Sequence, residues 1–154
     1  MNGRPAAEQT LELSAFVPFR LNRLATGVSQ YLAAIYQARF GLDIPQWRVM
    51  ATVGETACTA QHIAASTRMH KTRVSRAIVE LEARDLIERA SNERDRRERQ
   101  VRLTKAGRRL YTELVPLALE RERALLACLD PEQLHGFLQG LDVLERFLGL
   151  DAQP

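Results

Sequence analysis

Apolar residues recur in steps of three and four along four stretches of the chain, and between the second and third of them the period changes. Leu13, Val17, Leu21, Leu24, Val28, Tyr31, Ile35 and, more loosely, Phe40 trace one face of a long helix. Val74, Ala77, Ile78 and Leu81 trace another, Leu110, Leu114, Leu117, Leu125 and Leu126 a third, and Leu134, Phe137, Leu138, Leu141, Leu144 and Leu148 a fourth. Between Leu86 and Thr104 the period drops to two: Leu86-Ile87 leads into Arg89, and Val101 and Leu103 alternate with Arg102 and Thr104. Two short alternating runs about a polar tip predict a β-hairpin, although no Asn-Gly type turn fixes its geometry. The chain is therefore expected to be mainly α, with one small hairpin.

Breakers and caps divide the helices. Pro18 is uncomfortable mid-helix, so the first regular helix starts near it or is kinked there. Gly41, followed by Asp43-Ile44-Pro45, ends that helix. Pro45 suits a first helical position, with a brief helix from Gln46 to Val53 closing at Gly54. Thr59 is an expected N-cap for a second short helix carrying Ile63 and Ala64, interrupted at Ser66-Thr67. A third runs from about Met69 to Ala83. Thr104 caps the helix after the hairpin, which Pro116 should kink, and Asp130-Pro131-Glu132 opens the last.

Charge is distributed unevenly. From Arg68 to Arg109 there are fourteen Lys/Arg against seven Asp/Glu, whereas the remainder holds eight against twelve. A net +3 chain thus carries a continuous +7 stretch and a −4 remainder. Such concentration suits a surface that meets a polyanion, most often nucleic acid.

A short helix, a tight connection, a second helix with a basic exposed face and then a basic hairpin make the winged helix-turn-helix plan. There the second helix enters the major groove and the hairpin reaches backbone or minor groove. Helical geometry places Thr72, Arg73, Ser75 and Arg76 opposite the apolar stripe, with Lys71 at the flank. Arginine can bond a guanine edge at two points, while Ser, Thr and Lys reach phosphates. The hairpin segment from Arg89 to Arg102 carries six arginines and three acids. Asp95 can hold the Arg97 guanidinium in a fixed direction, leaving Arg94, Arg96 and Arg97 for phosphates or a narrow minor groove.

The run Met69-His70-Lys71-Thr72-Arg73-Val74-Ser75-Arg76, then Leu81-Glu82 and Leu86-Ile87-Glu88-Arg89, resembles the recognition helix and exit of MarR-family regulators. Asp95-Arg96-Arg97, Val101-Arg102-Leu103-Thr104 and Gly107 are similar to that family's wing and the start of its next helix. Each piece is weak alone; in this order and spacing they are specific, and the flanking helices extend the likeness from about Leu11 to Leu148. The resemblance implies one domain spanning 1–154, with a helical dimerisation region in 10–45 and 105–150 and a winged-helix DNA-binding lobe in 46–104. It also implies an obligate homodimer joined through the first and last two helices, bound to an inverted-repeat operator in double-stranded DNA. Such proteins commonly act as repressors released by a small ligand. One position departs from the pattern: Asp85 stands before Leu86 where the family usually has Gly. Aspartate tolerates a left-handed helix end better than most residues, so only a small local change is expected.

A homodimer is also expected on physical grounds, because the leading and trailing helices carry apolar stripes that a compact winged helix cannot cover. Two copies related by a two-fold axis would cover them and set two recognition helices about one DNA turn, roughly 10 bp, apart. For the ligand, the family pocket maps onto Phe16, Phe19, Arg20, Arg23, Trp47, Arg48 and His62. An arginine beside aromatics suits an aromatic carboxylate. The stretch Arg39-Phe40-Gly41-Leu42 with Ile44-Pro45-Gln46-Trp47-Arg48-Val49 is similar to a branch of the family controlling breakdown of plant phenolic acids. An aromatic acid or its coenzyme A thioester is the effector this suggests, although plain core packing explains each aromatic singly.

Other classes are less well served. No Gly-rich phosphate loop or nucleophile-elbow signature is present, and His62, His70 and His135 are dispersed, so no catalytic residues and no enzyme are expected. Cys58 and His62 fall at i and i+4, too few ligands for a metal, and no cofactor is expected. A winged-helix protein-interaction module without DNA reading would show a neutral recognition face, which Arg73 and Arg76 contradict. Cys58 and Cys128, far apart, read as reduced thiols, with Cys58 as an oxidation sensor the alternative. No apolar run approaches the about 18 residues a membrane span needs, and Met1 to Thr10 has no apolar signal core, so no membrane partner and a cytoplasmic location are expected.

Overall fold

The computed structural model describes residues 10–91 and 99–150. Among them are six helices and three short strands, in the order α1 (Val17–Phe40), α2 (Ile44–Glu55), β1 (Cys58–Thr59), α3 (Ala60–Thr67), α4 (Lys71–Ala83), β2 (Ile87–Ser91), β3 (Arg99–Leu103), α5 (Lys105–Leu126) and α6 (Pro131–Phe147). The mainly α winged-helix architecture expected from the pattern is the one observed. Residues up to Tyr31 form one compact unit and those from Leu32 a second.

In the first unit, α1 begins at Val17, so Pro18 sits in its first turn, where the missing N–H costs nothing. Leu11, Leu13, Phe16, Val17, Phe19, Leu21 and Leu24 are all exposed.

In the second unit, each helix starts where a side chain can receive its free N–H groups. Asp43 caps α2 in a reciprocal box: its carboxylate accepts from Gln46 N at 2.8 Å and the Gln46 side chain accepts from Asp43 N at 3.0 Å. Thr59 caps α3, Thr104 caps α5, and Asp130 forms a second box with Gln133 on α6. Each such cap is worth about 1 kcal/mol. His70 caps α4 through Nδ1, which accepts from Thr72 N at 3.3 Å, so this helix opens at Lys71 rather than near Met69. Ser66 and Thr67 do not interrupt α3; their hydroxyls bond back to the His62 and Ile63 carbonyls and the helix ends one residue later, at left-handed Arg68. α2 likewise starts two residues earlier than periodicity suggested, and α5 stays helical through Pro116.

The core gathers Val49, Met50 and Val53 from α2, Ile63 from α3, Val74, Ile78 and Leu81 from α4, Ile87 and Val101 from the sheet and Leu114 from α5. Full burial of each aliphatic side chain contributes about 1.5–3 kcal/mol. The sheet is antiparallel in the order β1-β3-β2, with Cys58 and Arg89 both opposite Val101. β1 was not expected; two residues are too short to carry a period.

A tight corner joins α4 to the wing. Asp85 takes a left-handed conformation (φ 54°), its N–H bonds the Glu82 carbonyl and the Leu86 N–H bonds the Leu81 carbonyl, a Schellman ending. The Thr104 hydroxyl donates to the Asp85 carbonyl at 2.6 Å and accepts from Gly107 N at 3.0 Å, tying the corner to α5. Any side chain at Gly107 would overlap the Leu86 carbonyl oxygen.

Candidate nucleic-acid interface

Helix α4 presents two faces because of where its apolar residues fall. Val74, Ala77, Ile78 and Leu81 are buried, which turns Lys71, Thr72, Arg73, Ser75 and Arg76 outward, all exposed. Of the expected DNA-contacting residues, these five share one face of one helix. Arg94, Asp95, Arg96 and Arg97 lie outside the described residues, between two strands whose register is fixed up to Ser91 and Arg99.

Residues not singled out in the sequence hold this face in place. Glu80 sits 3.3 Å from Nε of Arg76 and also accepts the Gln46 side-chain amide at 2.9 Å. Arg84, just past α4, donates to the Phe40 carbonyl at 2.6 Å and to that of Gly41 at 2.9 Å, so the end of α4 closes the last turn of α1. Arg89 on β2 pairs with Glu82 on α4 at 3.2 Å, and Arg102 with Glu88 across the strands at 2.8 Å. Two of these links, Gln46 to Glu80 and Arg84 to Gly41, span more than thirty residues, where spacing carries no signal.

The expected ligand residues are divided between the two units. In the first, Phe16, Phe19, Arg20 and Arg23 are exposed, and the Arg23 guanidinium lies over the Phe19 ring, 5.8 Å from its centre. That is a cation–π pair. In the second, Trp47, Arg48 and His62 are half-buried. Trp47 stacks on Tyr36 with ring centres 5.7 Å apart and packs against the core. Burial pushes the Tyr36 phenol up, partly offset by the nearby Arg48 charge. His62 sits in the first turn of α3, where its backbone N–H is held by Thr59.

Cys58 lies buried in β1, and burial pushes its thiol up, which favours the protonated and less reactive form. Cys128 is exposed. Among the described residues no group of three His, Cys, Asp or Glu is placed to hold a metal, and no helix is long and apolar enough to cross a membrane.

A sequence model of the MarR family matches residues 40–98, from the end of α1 to the hairpin. The chain is similar to a MarR family transcriptional regulator from Silicibacter pomeroyi DSS-3, at 30% identity over 88% of this chain and 99% of that one, with a TM-score of 0.73. It is similar in fold to a MarR/EmrR family regulator from Acinetobacter sp. ADP1, at 24% identity, 91% and 99% coverage and TM-score 0.81. The same holds for CouR from Rhodococcus jostii RHA1, solved bound to p-coumaroyl-CoA, at 21% identity, 90% and 95% coverage and TM-score 0.77. Among curated proteins, none matches the chain.

Proposed function

The chain belongs to the MarR family of transcriptional regulators, and from that premise we propose that it works as a homodimeric repressor on an inverted-repeat operator, released by a small aromatic acid or its coenzyme A thioester. The protein is a transcription regulator and not an enzyme.

The observation that carries the DNA-reading part is the exposed face of α4. Lys71, Thr72, Arg73, Ser75 and Arg76 stand together on the side away from the core, in the stretch where the chain's positive charge is concentrated. Arg73 and Arg76 would address base edges and Lys71, Thr72 and Ser75 the backbone, with Arg94, Arg96 and Arg97 of the wing adding contacts steadied by Asp95. The 46–104 lobe would do the reading, and the 10–45 and 105–150 helices the pairing.

The dimer is supported by α6, which has no buried residue although Phe137, Leu138, Leu144, Phe147 and Leu148 are apolar and exposed. Effector class is supported by CouR, a fold neighbour whose own ligand is an aromatic coenzyme A thioester. Phe16, Phe19, Arg20, Arg23, Trp47, Arg48 and His62 are the residues assigned to it.

The test is binding of purified protein to DNA from its own upstream region at two salt concentrations, with and without a panel of phenolic acids and their thioesters. Tight, salt-sensitive binding abolished by one compound is the expected result. Binding to no DNA at low salt would overturn the reading.

A further inference from the structure

A cavity of about 390 Å³ opens in the second unit between α3, α4 and the wing strands. Its polar lining includes Gln61, Ser75, Arg89 and Arg99, and Ile78 and Val101 form apolar wall. The strand register explains why two guanidinium groups meet there. Arg89 pairs with Val101, and Arg99 lies two residues before Val101 on β3, so all three side chains stand on one face of the sheet. Ser75 comes from the exposed face of α4, and Gln61 from the first turn of α3.

The charges differ in how far they are already satisfied. Arg89 is paired with Glu82 at 3.2 Å, which fixes its direction and offsets part of its charge. Among the described residues no carboxylate pairs with Arg99, and none lines the cavity. The result is a concave site with one guanidinium that no carboxylate among the described residues offsets, a second oriented guanidinium, and hydroxyl and amide donors. A phosphodiester complements that arrangement, because it carries one negative charge and oxygens that only accept.

We propose that this cavity seats a single DNA backbone phosphate, held by Arg99 with support from Arg89, Ser75 and Gln61. The inference rests on the DNA-binding reading and adds to it a backbone contact centred on Arg99, with Ser75 shared between the seat and the α4 face. A phosphate gripped at once from α3, α4 and the sheet would fix how far the wing stands from the recognition helix along the strand, without reading any base.

The experiment compares wild type, Arg99→Gln and Arg99→Lys on the operator and on unrelated DNA across a salt series. Arg99→Gln should weaken binding to both DNAs by roughly tenfold, as expected for loss of one charge-assisted contact, and lower the salt slope by about one. Arg99→Lys should keep the slope. A scan replacing operator phosphates one at a time with uncharged methylphosphonate should then find one position that weakens wild type by a similar factor and leaves Arg99→Gln unaffected. If Arg99→Gln binds with unchanged affinity and slope while wild type binds well, the seat is wrong and the DNA reading stands. If every methylphosphonate weakens both proteins alike, and inorganic phosphate at constant ionic strength releases only wild type, the site takes a free anion and the proposal fails. Wild type that binds no DNA overturns both readings.

Discussion

The side-chain amide of Gln46 donates to Glu80 at 2.9 Å, joining the capping box of α2 to the last turn of α4. The second oxygen of that carboxylate lies 3.3 Å from Nε of Arg76. Arg76 is exposed over 81% of its side chain and Glu80 over 42%, so the pair adds little stability. What it supplies is direction: a long flexible arginine is held toward one end of its helix by an acid that is itself held by a half-buried network.

If Arg76 reads a base, its replacement by Ala costs about 1–3 kcal/mol and relaxes sequence preference. Glu80→Ala should act differently. If α4 meets DNA, losing this negative charge and freeing Arg76 raises affinity for unrelated DNA while the ratio of operator to unrelated binding falls several-fold. Competition binding at fixed salt measures both. A ratio that stays at the wild-type value would remove Glu80 from any positioning role.

Asp85 occupies a left-handed helix end at φ 54°, where an L side chain is strained and glycine is not. Its neighbours fix that conformation, because the Asp85 carbonyl receives the Thr104 hydroxyl at 2.6 Å and the next residue closes the Schellman bond to Leu81. Asp85→Gly should therefore be neutral or stabilising by up to about 1 kcal/mol, and Asp85→Val destabilising by about 1–2 kcal/mol. Urea unfolding of the three proteins checks the order; a valine variant as stable as the glycine one would show that the corner is not constrained as described.

Burial raises the Cys58 thiol and the Tyr36 phenol above their ordinary values. The folded state then holds both protons to higher pH than the unfolded chain does. Stability from these groups is fully present below the unfolded values, about 8.5 for the thiol and about 10 for the phenol, and declines as pH rises through and beyond them. The urea midpoint should accordingly fall between pH 7 and 9.5, and less so in Cys58→Ala. At pH 8 iodoacetamide should label exposed Cys128 roughly tenfold faster than Cys58. Rapid labelling of Cys58, or release of DNA by peroxide that Cys58→Ala abolishes, would instead make it the sensor.

Much of this architecture is legible because it is local. Thr59, Thr104 and Asp130 announce helix starts within three residues of the N–H groups they receive, and Val74, Ala77, Ile78 and Leu81 repeat at the helical period. The basic face of α4 follows from that stripe by geometry alone. The contacts that steady the face are polar and link different elements: Gln46 with Glu80, Arg84 with Phe40 and Gly41, Arg89 with Glu82. Spacing carries no signal for them. Arg89 and Arg99 likewise become neighbours only once the register with Val101 is known, since a slip of one residue would turn one of them to the other face. His70 as a cap was missed because histidine seldom serves there, and Arg68 because it adopts a left-handed conformation that few non-glycine residues do.

Helix α6 has no buried residue and leaves much of its apolar surface exposed. Phe137, Leu141, Leu144 and Leu148 fall at helical spacing, and Phe137, Leu144 and Leu148 are 37%, 44% and 62% exposed. Because α6 contributes no buried residue to the core, its surface can be altered without unfolding the winged helix. Leu144→Glu should keep the wild-type circular dichroism yet raise the dimer dissociation constant at least about a hundredfold, since burying an unpaired carboxylate in an apolar seam costs about 3 kcal/mol or more. Operator affinity should fall with it, because a monomer engages one half-site and loses the gain from linking two. Sedimentation equilibrium decides the matter: a variant that dimerises as tightly as wild type would place the seam elsewhere and leave the apolar face of α6 to another partner.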